Sequence, residues 1–209
     1  MKNLCISFIF LIALACSKQP PLITENPQPT AADTTILFVG NSLTYSNDMP
    51  QLVVKIAQSK GSKIKAEMLA LPNYALVDHL ADGKLQTMMA TKKYKYVIIQ
   101  QGPSSQSEGR AMLLEAAPLI KEMCDKNEGK LAVYMVWPAY ANYSNFEGVI
   151  RNYTEAATQT NSILCPVGKV WKEYIDRTQE LSYYGSDLFH PSLQGSEVAA
   201  EVIYSSLFK

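Results

Sequence analysis

Three polar residues near the two ends of this chain have the types that nucleophilic catalysis requires. Ser42 follows an apolar run at residues 35–39 and Gly40, while Asp187 and His190 lie three residues apart near the C-terminus. In a loop, this spacing lets the aspartate accept a hydrogen bond from the Nδ1–H of the histidine, which leaves Nε2 free as a general base. A structural role remains the alternative: Ser42 can be a helix N-cap, and Asp187 and His190 can be loop residues without a catalytic function.

The segments around these residues predict where they are held. Residues 35–39 are β-branched and apolar, which is typical of a buried strand, and Gly40 permits a sharp turn after it. Because a helix is expected from near Pro50, Ser42 is predicted to lie at the carboxyl edge of a strand, where open α/β sheets collect their ligands. Pro191 favours an extended backbone at His190, so the closing helix is expected to begin after it.

The rest of the chain alternates between strand-like and helix-like segments. Strands are predicted at 35–39, 63–71, 96–100, 131–137 and 163–167, and helices at 50–60, 74–89 (broken near Asp82), 108–127, 146–159, 170–177 and 192–207. Such alternation predicts an α/β fold in which parallel strands are joined by right-handed crossovers. We expect a sheet of about five strands with helices on both faces.

Composition narrows the class of protein further. The 209 residues carry 19 basic and 19 acidic side chains, and this balance gives no basic field that would indicate nucleic acid as a partner. Cys124 and Cys165 have no zinc-site spacing and are expected to be buried thiols, with a disulfide as the alternative in an exported protein. The sequence implies neither a metal nor another cofactor.

The N-terminal segment predicts export. Lys2 precedes an apolar stretch at residues 4–14 that is too short to span a bilayer, and the stretch ends in Ala-Leu-Ala-Cys16. Residues 1–16 resemble a bacterial lipoprotein signal with Cys16 as the lipidation site, and an ordinary signal peptide is the alternative. The proline-rich residues 17–33 are predicted to be a flexible tether, and residues 34–209 the folded domain, lipid-anchored in the cell envelope.

From about Thr34 to its C-terminus, the chain resembles the SGNH hydrolases, the GDSL-like lipase and esterase superfamily. Gly40-Asn41-Ser42-Leu43 is similar to the family's nucleophile block, and Asp187-Leu188-Phe189-His190-Pro191 to its last block. The resemblance implies a three-layer α/β/α flavodoxin-like sandwich in which Ser42 is the nucleophile, His190 the base and Asp187 its orienting partner. The α/β-hydrolase alternative fits less well, because Thr44 stands where its nucleophile elbow needs a glycine.

The two middle blocks of the family depart from its pattern. The second normally supplies a glycine N–H to the oxyanion hole, and by position this role falls to Asn73, which tolerates a left-handed backbone. The third normally supplies an asparagine side chain, but Gln100, Gln101 and Ser104 occupy this stretch instead. Because neighbouring strand residues point to opposite faces, only one glutamine can face Ser42. We predict an oxyanion hole formed by the Ser42 and Asn73 N–H groups and the Gln101 amide.

The predicted activity is hydrolysis of acyl esters, O-acetyl esters foremost, on small-molecule or glycan substrates. Four loop tyrosines are candidates to stack on sugar rings or simply to pack locally: Tyr140, Tyr143, Tyr183 and Tyr184. His79, the other histidine, is expected to be an ordinary helix residue. The alternative function is a non-catalytic, glycan-binding surface lipoprotein on a degenerate SGNH scaffold, which the missing asparagine motivates.

Overall fold

The computed structural model describes residues 34–208. The predicted signal segment, the lipidation site at Cys16 and the tether lie outside the described residues. None of the helices within residues 34–208 is both long and apolar enough to cross a membrane.

One parallel sheet forms the centre of the described fold. Its five strands are β1 (Thr34–Gly40), β2 (Ile64–Ala70), β3 (Tyr96–Ile99), β4 (Lys130–Tyr134) and β5 (Ile163–Cys165), in the order β2-β1-β3-β4-β5. Ile36 to Val39 of β1 are fully buried, as expected for a strand covered on both faces. This strand order reverses direction between β1 and β3, so the crevice for a ligand is expected at their carboxyl ends.

Eight helices accompany the sheet in the described part of the chain. They are α1 (Ser42–Tyr45), α2 (Met49–Ser59), α3 (Leu76–Ala81), α4 (Lys84–Thr91), α5 (Ser107–Lys126), α6 (Phe146–Gln159), α7 (Val167–Thr178) and α8 (Leu193–Leu207), with short 3₁₀ turns at Ser46–Asp48 and Tyr140–Asn145. Helices α2 and α8 pack together on one side, while α5 packs against α3 and α6 on the other. The predicted three-layer α/β/α sandwich is therefore confirmed.

The differences from the predicted elements are local. The helical stretch after β1 begins at Ser42 rather than near Pro50, because Asn41 caps a short helix there. Strand β4 ends at Tyr134, although the apolar run continues through buried Trp137. Cys124 and Cys165 are both buried thiols, and burial raises the pKa of the Cys124 thiol to about 12. The disulfide alternative is therefore wrong.

Candidate active site

The turn between β1 and α1 places Ser42 at the carboxyl edge of the sheet. The Asn41 side chain caps α1 by accepting a hydrogen bond of 3.2 Å from the N–H of Leu43. Ser42 is the first residue of this helix, where a backbone N–H has no acceptor within the helix. A Cβ on Gly40 would collide with the Thr44 hydroxyl and lie 2.5 Å from Gln100 Oε1, so only glycine fits there.

The structure brings Ser42, His190 and Asp187 into one hydrogen-bonded chain across 148 residues of sequence. The Ser42 hydroxyl lies 2.9 Å from His190 Nε2, and His190 Nδ1 lies 2.6 Å from Asp187 Oδ2. Because a carboxylate can only accept, Nδ1 carries the proton and Nε2 is free to accept from the serine. This arrangement can deprotonate a serine hydroxyl.

Local backbone geometry fixes the aspartate in this chain. Leu188 adopts a left-handed conformation with φ of 55°, and the two following backbone N–H groups donate to Asp187 Oδ1, from Phe189 at 3.0 Å and from His190 at 2.9 Å. The hydrogen bond from the His190 ring, followed by these backbone bonds, holds the pKa of the Asp187 carboxyl below its ordinary value. Asp187 therefore stays a carboxylate and can hold the imidazole in one orientation.

Asn47 ties the serine segment directly to the histidine segment. Its backbone is left-handed, with φ of 54°, and its side-chain Nδ2 lies 3.1 Å from the carbonyl oxygens of Pro191 and Ser192 and 2.9 Å from Ser196 Oγ. The prediction from sequence missed this residue. No local pattern reveals it, since its partners lie 144 to 149 residues further along the chain.

The loop at residues 185–192 that contains His190, here named the histidine loop, is also held by residues that follow β4. Trp137 Nε1 donates to the carbonyl of Phe189 at 3.0 Å, and the N–H of Tyr140 donates to that of Leu188 at 2.9 Å. In return, the Tyr184 hydroxyl donates to the carbonyl of Pro138 at 2.8 Å. The loop that carries His190 is thus held by hydrogen bonds from Asn47 on one side and from Trp137 and Tyr140 on the other.

Gln100, rather than Gln101, contacts the turn at residues 40–44 that contains Ser42, here named the nucleophile turn. Gln100 Oε1 accepts from the N–H of Asn41 and from the hydroxyl of Thr44, both at 2.9 Å, so it touches residues on either side of Ser42. Its Nε2 donates to the Gln101 carbonyl at 2.5 Å. Gln100 is therefore a buried support for the turn, and one of the two N–H donors of its amide is engaged with the Gln101 carbonyl.

The predicted role of the Gln101 amide in the oxyanion hole does not fit this geometry. Gln101 Oε1 accepts from the N–H of Leu76 at 2.8 Å, and its Nε2 lies 3.9 Å from Met112 Sδ, so the side chain contacts α3 and α5. Gln100 contacts the segment on either side of Ser42 and Gln101 contacts α3 and α5, which is the reverse of the predicted placement of the two side chains. The Ser104 hydroxyl is fully buried and has no hydrogen-bond partner in the described part of the chain.

The loop after β2 contains Asn73, predicted to supply an N–H to the oxyanion hole. Asn73 has a left-handed backbone, with φ of 59°, in the turn after β2. The next residue is bound to the nucleophile turn, because Asn41 Nδ2 donates to the Tyr74 carbonyl at 3.0 Å. The amides of Ser42 and Asn73 thus belong to two turns that are joined by a hydrogen bond.

His79 is buried near the Asn41–Tyr74 hydrogen bond and does not contact the triad formed by Ser42, His190 and Asp187. Because the carbonyl of Gly40 can only accept, Nε2–H of His79 donates to it at 2.8 Å, and the imidazole ring lies 4.9 Å from the Tyr74 ring. His79 therefore links α3 to the last residue of β1. Its position on a helix is as predicted.

The four candidate sugar-stacking tyrosines differ in exposure. Tyr183 and Tyr184 are buried, with Tyr183 stacked on Tyr174 at 4.0 Å, so their faces are unavailable to a ligand. Tyr143 is half-buried, and its hydroxyl donates to Asp176. Tyr140 is 40% exposed and is the member of this set with the most accessible ring.

A cavity of about 350 Å³ lies at the same edge of the sheet. It is lined by Pro103, Ser105, Gln106, Pro138, Ala139, Asn142, Asn145 and Phe189. Phe189 connects it to the triad, because its ring centroid lies 4.9 Å from that of His190. Within residues 34–208, no group of three or more His, Cys, Asp or Glu side chains is arranged to hold a metal ion.

The fold resembles solved structures of SGNH hydrolases and related esterases. A protein from Slackia heliotrinireducens described as an SGNH hydrolase shares 21% identity, with a TM-score of 0.70 over 84% of this chain and 100% of that one. A lipase/acylhydrolase from Enterococcus faecalis shares 16% identity, with a TM-score of 0.67 over 83% and 95%. An acetylxylan esterase from Geobacillus stearothermophilus shares 15%, with a TM-score of 0.65 over 84% and 94%.

These likenesses establish that the chain has the SGNH hydrolase fold. No protein-family model matches the sequence, and no curated protein matches it.

Proposed function

We propose that this protein is a serine ester hydrolase that removes acyl groups, above all O-acetyl groups, from carbohydrates. The observation that carries the proposal is the hydrogen-bonded chain from the Ser42 hydroxyl through the His190 ring to the Asp187 carboxylate. The acetylxylan esterase among the structural neighbours supports the choice of an acetylated carbohydrate as substrate.

In the proposed reaction, His190 acts as the general base in both the acylation and the deacylation step. His190 Nε2 takes the proton of the Ser42 hydroxyl as Oγ attacks the ester carbonyl, and the N–H groups of Ser42 and Asn73 stabilise the resulting oxyanion. The intermediate collapses to an acyl-serine as the alcohol leaves with the proton from His190. Water then attacks the acyl-serine with His190 again as base, which releases the carboxylic acid and restores Ser42.

A serine-directed probe tests the proposal. A fluorophosphonate should label Ser42, as found by mass mapping of the peptides, and Ser42→Ala should lose both the label and nearly all turnover of an aryl acetate. Ser46→Ala, in the same segment, is the control that should keep both. If the folded wild-type protein is not labelled at Ser42, the non-catalytic glycan-binding alternative is favoured.

We also propose that the protein is exported and anchored to the bacterial cell envelope through acyl chains on Cys16. The support is the sequence pattern alone: a basic Lys2, a short apolar stretch and a small residue before Cys16. Cys16→Ser should move the protein from the membrane fraction to the soluble fraction, whereas Cys5→Ser should leave it in place. An unchanged distribution of Cys16→Ser contradicts the anchor.

A further inference from the structure

The cavity beside the triad contains hydrogen-bonding groups that the fold does not use. Four polar side chains line it, those of Ser105, Gln106, Asn142 and Asn145. None of the four forms a side-chain hydrogen bond to another residue within 34–208. Each amide offers two donors and an acceptor, and each hydroxyl offers both, so together they can pair with several hydroxyl groups of a ligand.

The remaining wall of the cavity is apolar and uncharged. Pro103, Pro138, Ala139 and the ring of Phe189 form it, and none of the eight lining residues is ionisable at neutral pH. An apolar wall with a few polar groups is typical of a small-molecule site, and about 350 Å³ lies within the usual range of volumes. A face of C–H groups can pack on Phe189 while hydroxyl groups reach the amides.

The lining argues against a hydrocarbon acyl chain as the occupant. Such a chain would cover three amides and one hydroxyl without forming hydrogen bonds, and each polar group left unpaired on burial costs about 1–3 kcal/mol. An anionic sugar is also disfavoured, because the lining supplies no cation to pair with its carboxylate. A neutral ligand with several hydroxyl groups satisfies both constraints.

We propose that this cavity binds the alcohol part of the ester and that this part is a neutral sugar ring. The side-chain amides of Gln106, Asn142 and Asn145 bind its hydroxyl groups, and Phe189 packs against its C–H face beside His190. This inference rests on the proposed esterase function and adds to it the residues that select the substrate.

The experiment compares esters that share an acetyl group and a six-membered ring. The substrates are mono-O-acetylated methyl glycosides of xylose, glucose, galactose and galacturonic acid, with cyclohexyl acetate as the ring without hydroxyl groups. At least one neutral glycoside should exceed cyclohexyl acetate in kcat/KM by about tenfold or more, since a site built for hydroxyl groups rejects analogues that lack them. Acetate release is measured directly by NMR.

The double variant Asn142→Ala/Asn145→Ala assigns the effect to the cavity. It should lower kcat/KM for the preferred glycoside by about tenfold or more, since it removes at least two hydrogen bonds to the sugar, and it should lower kcat/KM for cyclohexyl acetate far less, since that substrate has no hydroxyl groups to bind. Gln58→Ala, an exposed glutamine on α2 that does not line the cavity, is the matched control and should change neither value.

The outcomes separate the two proposals. If the wild-type protein hydrolyses none of these esters and no aryl acetate, the esterase function itself is wrong. If it hydrolyses cyclohexyl acetate as well as the glycosides, or if the double variant slows both alike, the esterase function stands and the sugar cavity is wrong. Preference for the galacturonic acid derivative overturns the assignment to neutral sugars.

Discussion

Replacing Gln100 with methionine removes the amide oxygen beneath the nucleophile turn while nearly keeping the length of the side chain. It also removes Nε2, but the Gln101 carbonyl that accepts from Nε2 keeps a second donor, the Tyr153 hydroxyl. In the wild-type protein, Gln100 Oε1 accepts hydrogen bonds from the N–H of Asn41 and the hydroxyl of Thr44, both at 2.9 Å. Gln100→Met leaves these two donors without their acceptor on either side of Ser42. The side chain of Gln100 is almost fully buried, at 1% exposure, so water does not readily replace it.

The size of the effect follows from these two donors. A buried donor left without a partner costs about 1–3 kcal/mol, and because the Thr44 hydroxyl can rotate, we expect Gln100→Met to lower the free energy of unfolding by about 3 kcal/mol. The same loss frees the backbone that holds Ser42 Oγ and the Ser42 N–H. Since a misplacement of 1 Å can cost about 10²-fold in rate, kcat should fall by about that factor in the protein that remains folded.

The neighbouring glutamine provides the control for Gln100→Met. Gln101 is equally placed at the end of β3 and also accepts from a backbone N–H, that of Leu76, but it does not contact the nucleophile turn. Because Gln101→Met leaves one donor unpaired instead of two, it should lower the free energy of unfolding by about 1–3 kcal/mol in denaturant unfolding, with kcat for an aryl acetate within about threefold of wild type. A larger kcat loss in folded Gln101→Met than in Gln100→Met would refute this account.

Two further predictions concern the residues around His190. Because its hydrogen bonds keep the pKa of Asp187 below its ordinary value, the aspartate stays charged as the pH falls and adds no proton of its own to the acid limb of kcat/KM. We therefore expect that limb to follow a single proton, and a limb that requires two protons contradicts this. Asn47→Gly keeps the left-handed backbone but removes the bridge to Pro191 and Ser192, so kcat should fall by about tenfold. Asp48→Gly, also left-handed at φ of 51°, is the control, and equal kcat values for the two variants would show that the bridge is not needed.

The main elements of the fold were predictable because their signals are local. Residues 35–39 and 96–100 are short apolar runs that end in a polar or glycine residue, and such runs are typical of buried parallel strands. Residues 146–159 repeat apolar positions at helical spacing and form α6 over that range. The observed elements differ from the predicted ones at their ends. Strand β4, for example, ends at Tyr134, and Trp137 is buried beyond it with its indole ring centroid 3.4 Å from that of Trp171.

The residues of the candidate site were predictable where a short pattern or the family resemblance placed them, as for Ser42 and His190, which lie 148 residues apart. The Asp187–His190 spacing is a local signal, and the two residues are hydrogen-bonded in the structure. The contacts of Gln100 and Asn47 depend on how distant segments face each other, and alternation along a strand gives two opposite faces without saying which one meets Ser42. A contact that spans 144 residues has no counterpart in any short pattern.

The link from Asn47 to the segment before α8 also makes the arrangement of the site depend on α8, the last helix within the described residues. A chain is made from its N-terminus, so Ser42 and its turn exist long before His190, which lies 148 residues later. One of the three acceptors of the Asn47 amide, Ser196 Oγ, lies in α8, which packs against α2 and ends at Leu207. A chain that stops before α8 still contains His190 but lacks Ser196 and the packing of α8 on α2, so we expect the imidazole to be held less firmly beside Ser42.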